Sequence, residues 1–126
     1  MAKISHSTDA APGAVGPYSQ AVSFGNTLYI SGQLPVDPVT GSIPESPSEQ
    51  AEQVLSNIRN IAESAGYRMD DAVKLTMFIK NLDDFSEINE VYAKFFTEPY
   101  PARSCVQVSG IPKGADMEID AVFMKG

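Results

Sequence analysis

Two residues of this chain carry groups that could act together on a small anionic substrate: Arg103 and Glu118. A guanidinium offers planar N–H donors that match a carboxylate in a two-pronged grip. A carboxyl group can hold a water molecule and take its proton. Arg103 follows Pro99-Tyr100-Pro101 and alternates with Cys105 and Gln107 along residues 102–108. Glu118 lies between Met117 and Ile119, in a stretch that alternates as a strand. A carboxylate in such a place is costly to bury unless it is paired. The plainer readings are a salt bridge from Arg103 to Glu118 or Asp120, and Glu118 as a paired or rim carboxylate. The two stretches are consecutive. We therefore expect their strands to pair and both side chains to project into one pocket.

The other reactive types give less. Cys105 is the only cysteine and His6 the only histidine. No histidine is placed to activate Cys105, so it reads as a packed or site-lining thiol rather than a nucleophile. His6 sits near the N-terminus, where it reads as a surface or edge-strand side chain. Tyr18 can donate a hydrogen bond from the end of a hairpin. The aromatic stripe Phe85, Phe95 and Phe96 reads as core. A structural zinc cluster needs several Cys or His ligands, which the chain lacks. The patterns G-x-x-x-x-G-K-[ST], G-x-G-x-x-G and H-E-x-x-H are also absent.

These residues need a frame. Residues 18–24 and 27–31 bracket Gly25-Asn26, a pair suited to a tight hairpin turn. Pairing Phe24 with Thr27 sets Val22 against Tyr29 and Gln20 against Ser31. It also brings Tyr18 near Ser31 and Gly32. Strict alternation would put Tyr18, Gln20 and Ser31 on one face. Residues 32–47 hold four prolines and Gly41, which predicts a loop. Ser46-Pro47-Ser48-Glu49 is a helix start. Ala51, Val54, Leu55, Ile58, Ile61, Ala62 and Ala65 then form one apolar stripe, and Gly66 is a stop. Residues 72–80 predict a strand burying Val73, Leu75, Met77 and Ile79. Residues 84–96 predict a second helix, with Phe85, Ile88, Val91, Tyr92, Phe95 and Phe96 inward, ended by Pro99 and Pro101. Strands at 102–108 and 117–124 follow, and a short strand is expected near Lys3 to Ser5.

The order β-β-α-β-α-β-β describes an α+β sandwich of two layers, with two helices on one face of a mixed sheet. The 126 residues suit one domain spanning 1–126. The helices can cover only one sheet face. Val22, Tyr29, Val122 and Met124 fall on the other, which argues for burial against further copies rather than full solvation. The net charge of −7 and the lack of a basic run disfavour nucleic acid as a partner. No run of about 18 apolar residues is present, and the N-terminus lacks a signal-like apolar stretch, so a cytoplasmic location is expected.

Several separated segments together resemble the Rid/YjgF family of reactive-intermediate deaminases. They are Gly16-Pro17-Tyr18-Ser19-Gln20, Ile30-Ser31-Gly32-Gln33-Leu34-Pro35, Phe85 through Tyr92 with Asn89 inside, Pro101-Ala102-Arg103-Ser104-Cys105-Val106, Ile111-Pro112-Lys113-Gly114 and Glu118-Ile119-Asp120-Ala121. Ser109-Gly110 departs mildly from the bulkier residues common there. The resemblance covers essentially the whole chain. It implies a chorismate-mutase-like fold, a homotrimer and three clefts between neighbouring subunits. It implies that Arg103 grips the substrate carboxylate and Glu118 handles the water. Tyr18, Ser31, Gly32, Asn89 and Cys105 would line the cleft, Cys105 mainly through its backbone. The implied activity is hydrolysis of 2-imino acids and enamines such as 2-aminoacrylate and 2-iminobutanoate to 2-keto acids and ammonia. Such a reaction needs no cofactor or metal. Two rivals stand beside it. One is a small-ligand-binding regulator using the same cleft without turnover. The other is an endoribonuclease or translation inhibitor, against which the acidic total argues.

Overall fold

The computed structural model describes residues 2–126. Six strands form one sheet: β1 (Ile4–His6), β2 (Ala21–Phe24), β3 (Thr27–Gln33), β4 (Ala72–Ile79), β5 (Ala102–Gln107) and β6 (Met117–Met124). Their spatial order is β1-β2-β3-β6-β4-β5. The β4–β5 pair is parallel and every other pair is antiparallel, so the sheet is mixed. Helices α1 (Pro47–Ser64) and α2 (Phe85–Ala93) complete the α+β arrangement.

Local chemistry explains α1. The Ser46 hydroxyl accepts from the Glu49 N–H at 3.1 Å and donates to the Glu49 carboxylate at 2.9 Å. Pro47 occupies the first turn, where its missing N–H is no loss. Ala51, Val54, Leu55, Ile58, Ile61 and Ala62 are fully buried. They pack against Leu28 and Ile30 of β3 and against Met117, Ile119, Ala121 and Phe123 of β6 in one core. Each large aliphatic side chain there contributes roughly 1.5–3 kcal/mol as an upper estimate. Gly66 ends the helix with a φ of 87°.

The hairpin register is as expected, with Val22 opposite Tyr29 and Phe24 opposite Thr27. Three expectations need correction. First, β5 does not pair with β6: β4 lies between them. A parallel β4–α2–β5 crossover sets β5 on the outer edge of β4. β6 has an entirely buried inner row, and it takes the central place between β3 and β4. Second, Val73 is exposed rather than buried. Ala72 faces Phe123 and Lys74 faces Val122, so two steps on β4 oppose one on β6, and this bulge turns Val73 outward. Third, α2 is shorter than 84–96. A 3₁₀ turn, Leu82–Asp84, precedes it, and the Asn81 side chain accepts from the Asp83 N–H at 2.9 Å. After Ala93 the bonds tighten to i→i−3, from Lys94 to Val91 and from Phe95 to Tyr92, both at 3.0 Å. Phe96 then lies buried in the core.

Candidate functional site

In-register neighbours share a face of the sheet. Arg103 is in register with Leu75, which is in register with Ala121, and both of these are buried on the helix side. Glu118 is in register with Phe78, which is in register with Val106, on the open side. Arg103 and Glu118 of one chain therefore face opposite ways, and the expectation that they share one pocket within the chain is overturned. The separation follows from the intervening β4 and from the odd-even offset between the two rows. The expected residues fall into two groups, each built by different elements.

The first group surrounds Arg103. Asn89 and Tyr92 lie three residues apart on α2, and Phe85 lies four before Asn89, so the three share a stripe that meets edge strand β5. The Arg103 Nη1 donates to Asn89 Oδ1 at 2.7 Å. Its Cζ stands 5.2 Å from the Phe85 ring centroid and 4.7 Å from that of Tyr92. These are cation–π distances. Among the described residues Arg103 forms no ion pair, which removes the alternative of a structural bridge to Glu118 or Asp120. A cleft of about 440 Å³ lies beside it, walled by Asn89, Tyr92, Ala93, Tyr100, Pro101 and Arg103. Cys105 follows on the same side of β5, next to Met77, and packs against the core. Burial pushes its thiol pKa up, against a smaller opposing pull from the Arg103 cation. A raised value disfavours the thiolate, as suits a packing role.

The second group surrounds Glu118. Its carboxylate lies over the backbone of Gly32, so close that a Cβ there would fall 2.3 Å from Oε2. Gly32 belongs to a bulge in β3: Ile30 faces Ala121 while Gln33 faces Ile119. A cavity of about 360 Å³ opens here, with Tyr18, Gly32, Lys113 and Glu118 in its wall. Ser31 precedes Gly32 but is not in this wall; its hydroxyl donates to the Ser19 carbonyl beside Tyr18. A second hollow of about 180 Å³, lined by Phe78, Val108, Gly110 and Ile111, also touches Glu118. Desolvation raises the Glu118 pKa, and the negative charge of Asp120 adds to the rise. Asp120, two residues on along the same face, is also raised by burial, while Thr76 and Lys74 hold it down in part.

Sequence reasoning missed three contributors. Tyr92 was expected only as core, yet its ring lies under Arg103. Its spacing from Asn89 was the available signal. Lys113 brings a cation to the Glu118 cavity, held in the left-handed region at φ 62°. Its position between Pro112 and Gly114 in a short connection was the clue. Gln20 was expected beside Tyr18, and it does share the wall of the Glu118 cavity with it, but it is only 3% exposed because residues 8–12 cover its amide. Nothing in the alternation announces that cover. Among the described residues no group of three His, Cys, Asp or Glu side chains is placed to hold a metal ion. Among the same residues no helix is long and apolar enough to cross a membrane.

Residues 8–124 match the family model described as Endoribonuclease L-PSP. The RutC family protein y4sK of Sinorhizobium fredii is 53% identical over 118 residues, covering 93% of this chain and 94% of that protein. The 2-iminobutanoate/2-iminopropanoate deaminase of Salmonella typhimurium is 47% identical, covering 94% of each. Among solved structures, E. coli TdcF with bound serine superposes with a TM-score of 0.94 at 44% identity, covering 98% of this chain and 99% of that one. RidA from an Antarctic Psychrobacter gives 0.94 at 48% identity, covering 97% and 99%.

Proposed function

This chain belongs to the Endoribonuclease L-PSP family, which is the Rid/YjgF family, and on that premise we propose that it hydrolyses 2-imino acids and enamines to 2-keto acids and ammonia. The observation that carries the reading is the split of its chemistry. A cation free of any ion pair and a desolvated carboxyl stand on opposite faces of one sheet. Neither half suffices alone. Both are used if copies assemble as a ring, with the Arg103 half of one subunit closing on the Glu118 half of the next. The open sheet face supports such an assembly. Phe24, Tyr29, Val106 and Met124 are exposed there to 46–54%. We propose a homotrimer with three such clefts.

In the closed cleft Arg103 holds the substrate carboxylate, with the guanidinium oriented by Asn89 and the rings of Phe85 and Tyr92. Glu118 takes a proton from water as the oxygen bonds to the imine carbon. The proton passes to the nitrogen to give a carbinolamine, the hydroxyl proton then moves to that nitrogen as the C–N bond breaks and the C=O bond forms, and ammonia leaves with a 2-keto acid as co-product. No electron pair is lost to an acceptor, so the step needs no oxidant. The raised Glu118 pKa makes it a better base than an ordinary exposed carboxylate. The net charge of −7 weighs against RNA as the substrate.

The test is ammonia or keto-acid release from an imine generated in situ. Arg103→Ala and Glu118→Gln should each lose at least about a hundredfold in rate. Co-expressed together in mixed oligomers, the two dead variants should regain about a quarter of the sites, since each site draws one residue from each neighbour. Failure of mixing to restore turnover would remove the shared cleft. A wild-type chain that binds 2-oxobutanoate but releases no ammonia from any imine would be a sensor instead.

A further inference from the structure

The irregular segment between β1 and β2 is long for a connection in a compact domain, and such segments are usually functional or disordered. This one is tied down by a single buried side chain. Gln20 Oε1 accepts from the Thr8 N–H at 2.8 Å. Its Nε2 donates to the carbonyls of Thr8 at 3.1 Å and Pro12 at 2.7 Å, with Ala11 at 3.4 Å. An amide has two donors and one carbonyl acceptor, and here all are used. Helix α1 adds a further tie, from Asn60 Nδ2 to the Ala10 carbonyl at 2.9 Å. The segment so fixed supplies Pro12, Gly13, Val15 and Tyr18 to the wall of the Glu118 cavity. The backbone of Gln20 also accepts from the Ser31 N–H at 2.9 Å, next to Gly32.

One side chain thus joins the strap over Glu118 to the strand beneath it. We infer that Gln20 is a positioning residue of the Glu118 half-site: it sets residues 8–18 as the fixed roof under which the water and imine meet. Gln20 itself stands in the wall of the Glu118 cavity, but its amide is engaged by the strap rather than offered to a substrate. Its effect runs through Tyr18, the roof and the β3 bulge. The inference rests on the proposed deaminase reading, and it deepens that reading on the Glu118 side alone.

Gln20→Leu keeps the bulk and removes every bond to the strap. Amide exchange at Thr8 should accelerate at least about tenfold, because its buried acceptor is gone. The kcat for a 2-imino acid should fall about tenfold, as misplacement near a reacting centre does. The Ki of 2-oxobutanoate, whose carboxylate is held by the Arg103 half of the next subunit, should change less than about twofold, because the lost ties act on the catalytic step and not on that grip. Faster exchange at Thr8 with unchanged kcat would overturn the inference, and so would an equal loss in kcat and in 2-oxobutanoate affinity. If Gln20→Leu does not fold, Asn60→Ala decides the matter by cutting the more exposed tie. Proteolysis within 8–18 should then quicken and kcat should fall about threefold; quicker proteolysis with full kcat would overturn it. Glu118→Gln is measured in parallel. Full activity there would sink the site assignment itself, whereas its loss beside an unaffected Gln20→Leu would sink only the role of Gln20.

Discussion

The two half-sites solve opposite problems. Arg103 stands on an edge strand, largely in solvent, and is oriented by neighbours that leave its charge free: two ring faces and one amide oxygen. Glu118 stands on the central strand, partly desolvated, beside another acid and over a bare stretch of backbone. The cation is accessible and, among the described residues, without an ion pair, as the proposed carboxylate grip requires. The carboxyl is partly shielded from water and ionises less readily than an exposed one, as the proposed proton acceptor requires. One sheet can do both because its faces differ: helices back one, and the other is open. On the proposed reading, a second copy completes a site that needs both groups.

The sharpest way to break this comparison is at Gly32. Its φ is unremarkable, so what demands glycine is closeness rather than backbone conformation. Gly32→Ala would put a methyl 2.3 Å from Glu118 Oε2 and 2.9 Å from its Cδ. The side chain can swing away, so the fold should survive with little change in melting temperature. The carboxylate would be displaced by about an ångström or more, and kcat should fall about a hundredfold. Circular dichroism melting beside steady-state rates checks this. A normal rate would show that Glu118 needs no fixed place.

The same residues show what could be read from the chain. The cap at Ser46, the stripe of α1 and the turn at Gly25-Asn26 are local signals, and the structure follows them. The inner row of β6 is likewise legible from alternation. Strand order is not local. Only the crossover through α2 decides that β5 sits beyond β4, and with it the faces of Arg103 and Glu118. The burial of Gln20 also escapes alternation, because its partners are main-chain groups eight to twelve residues earlier. The residue types of the candidate site were therefore visible, while their division into two halves was not.

Arg103→Lys sharpens the cation's side. Lysine keeps the charge but loses the planar fork and the broad face that lies against Phe85 and Tyr92. KM for a 2-imino acid should rise about tenfold, with a smaller change in kcat. An unchanged KM would mean that charge alone suffices and that the aromatic stripe of α2 only packs.

On the other side, Asp120→Asn tests the cause of the Glu118 shift. Glu118 is raised first by desolvation and then by the Asp120 charge. Removing that charge should lower the Glu118 pKa. As a base, Glu118 works ionised, so the acid limb of kcat against pH should move to lower pH. The stability sign agrees. A carboxyl raised on folding carries a penalty that is absent below the ordinary carboxylate range and complete above its raised value. Asp120→Asn should therefore lessen the fall in stability as pH rises through that window. An acid limb that stays in place would assign it to another group.

The smallest effect lies beneath Arg103. The Tyr92 hydroxyl is buried and has no hydrogen-bond partner among the described residues, and burial raises its pKa. Its ring faces Arg103 and stacks, tilted, at 4.7 Å from Phe96. If the ring carries the function of this residue, the hydroxyl is a liability: a buried group without a partner costs about 1–3 kcal/mol. Tyr92→Phe should raise stability by about 1 kcal/mol in urea unfolding, since packing around the lost oxygen recovers only part of that cost. Tyr92→Leu, which removes the ring, should lower stability and raise KM, because the guanidinium loses one of its two aromatic faces. Loss of stability in Tyr92→Phe would show that the hydroxyl is satisfied in the assembled protein, and would point to the neighbouring subunit as its acceptor.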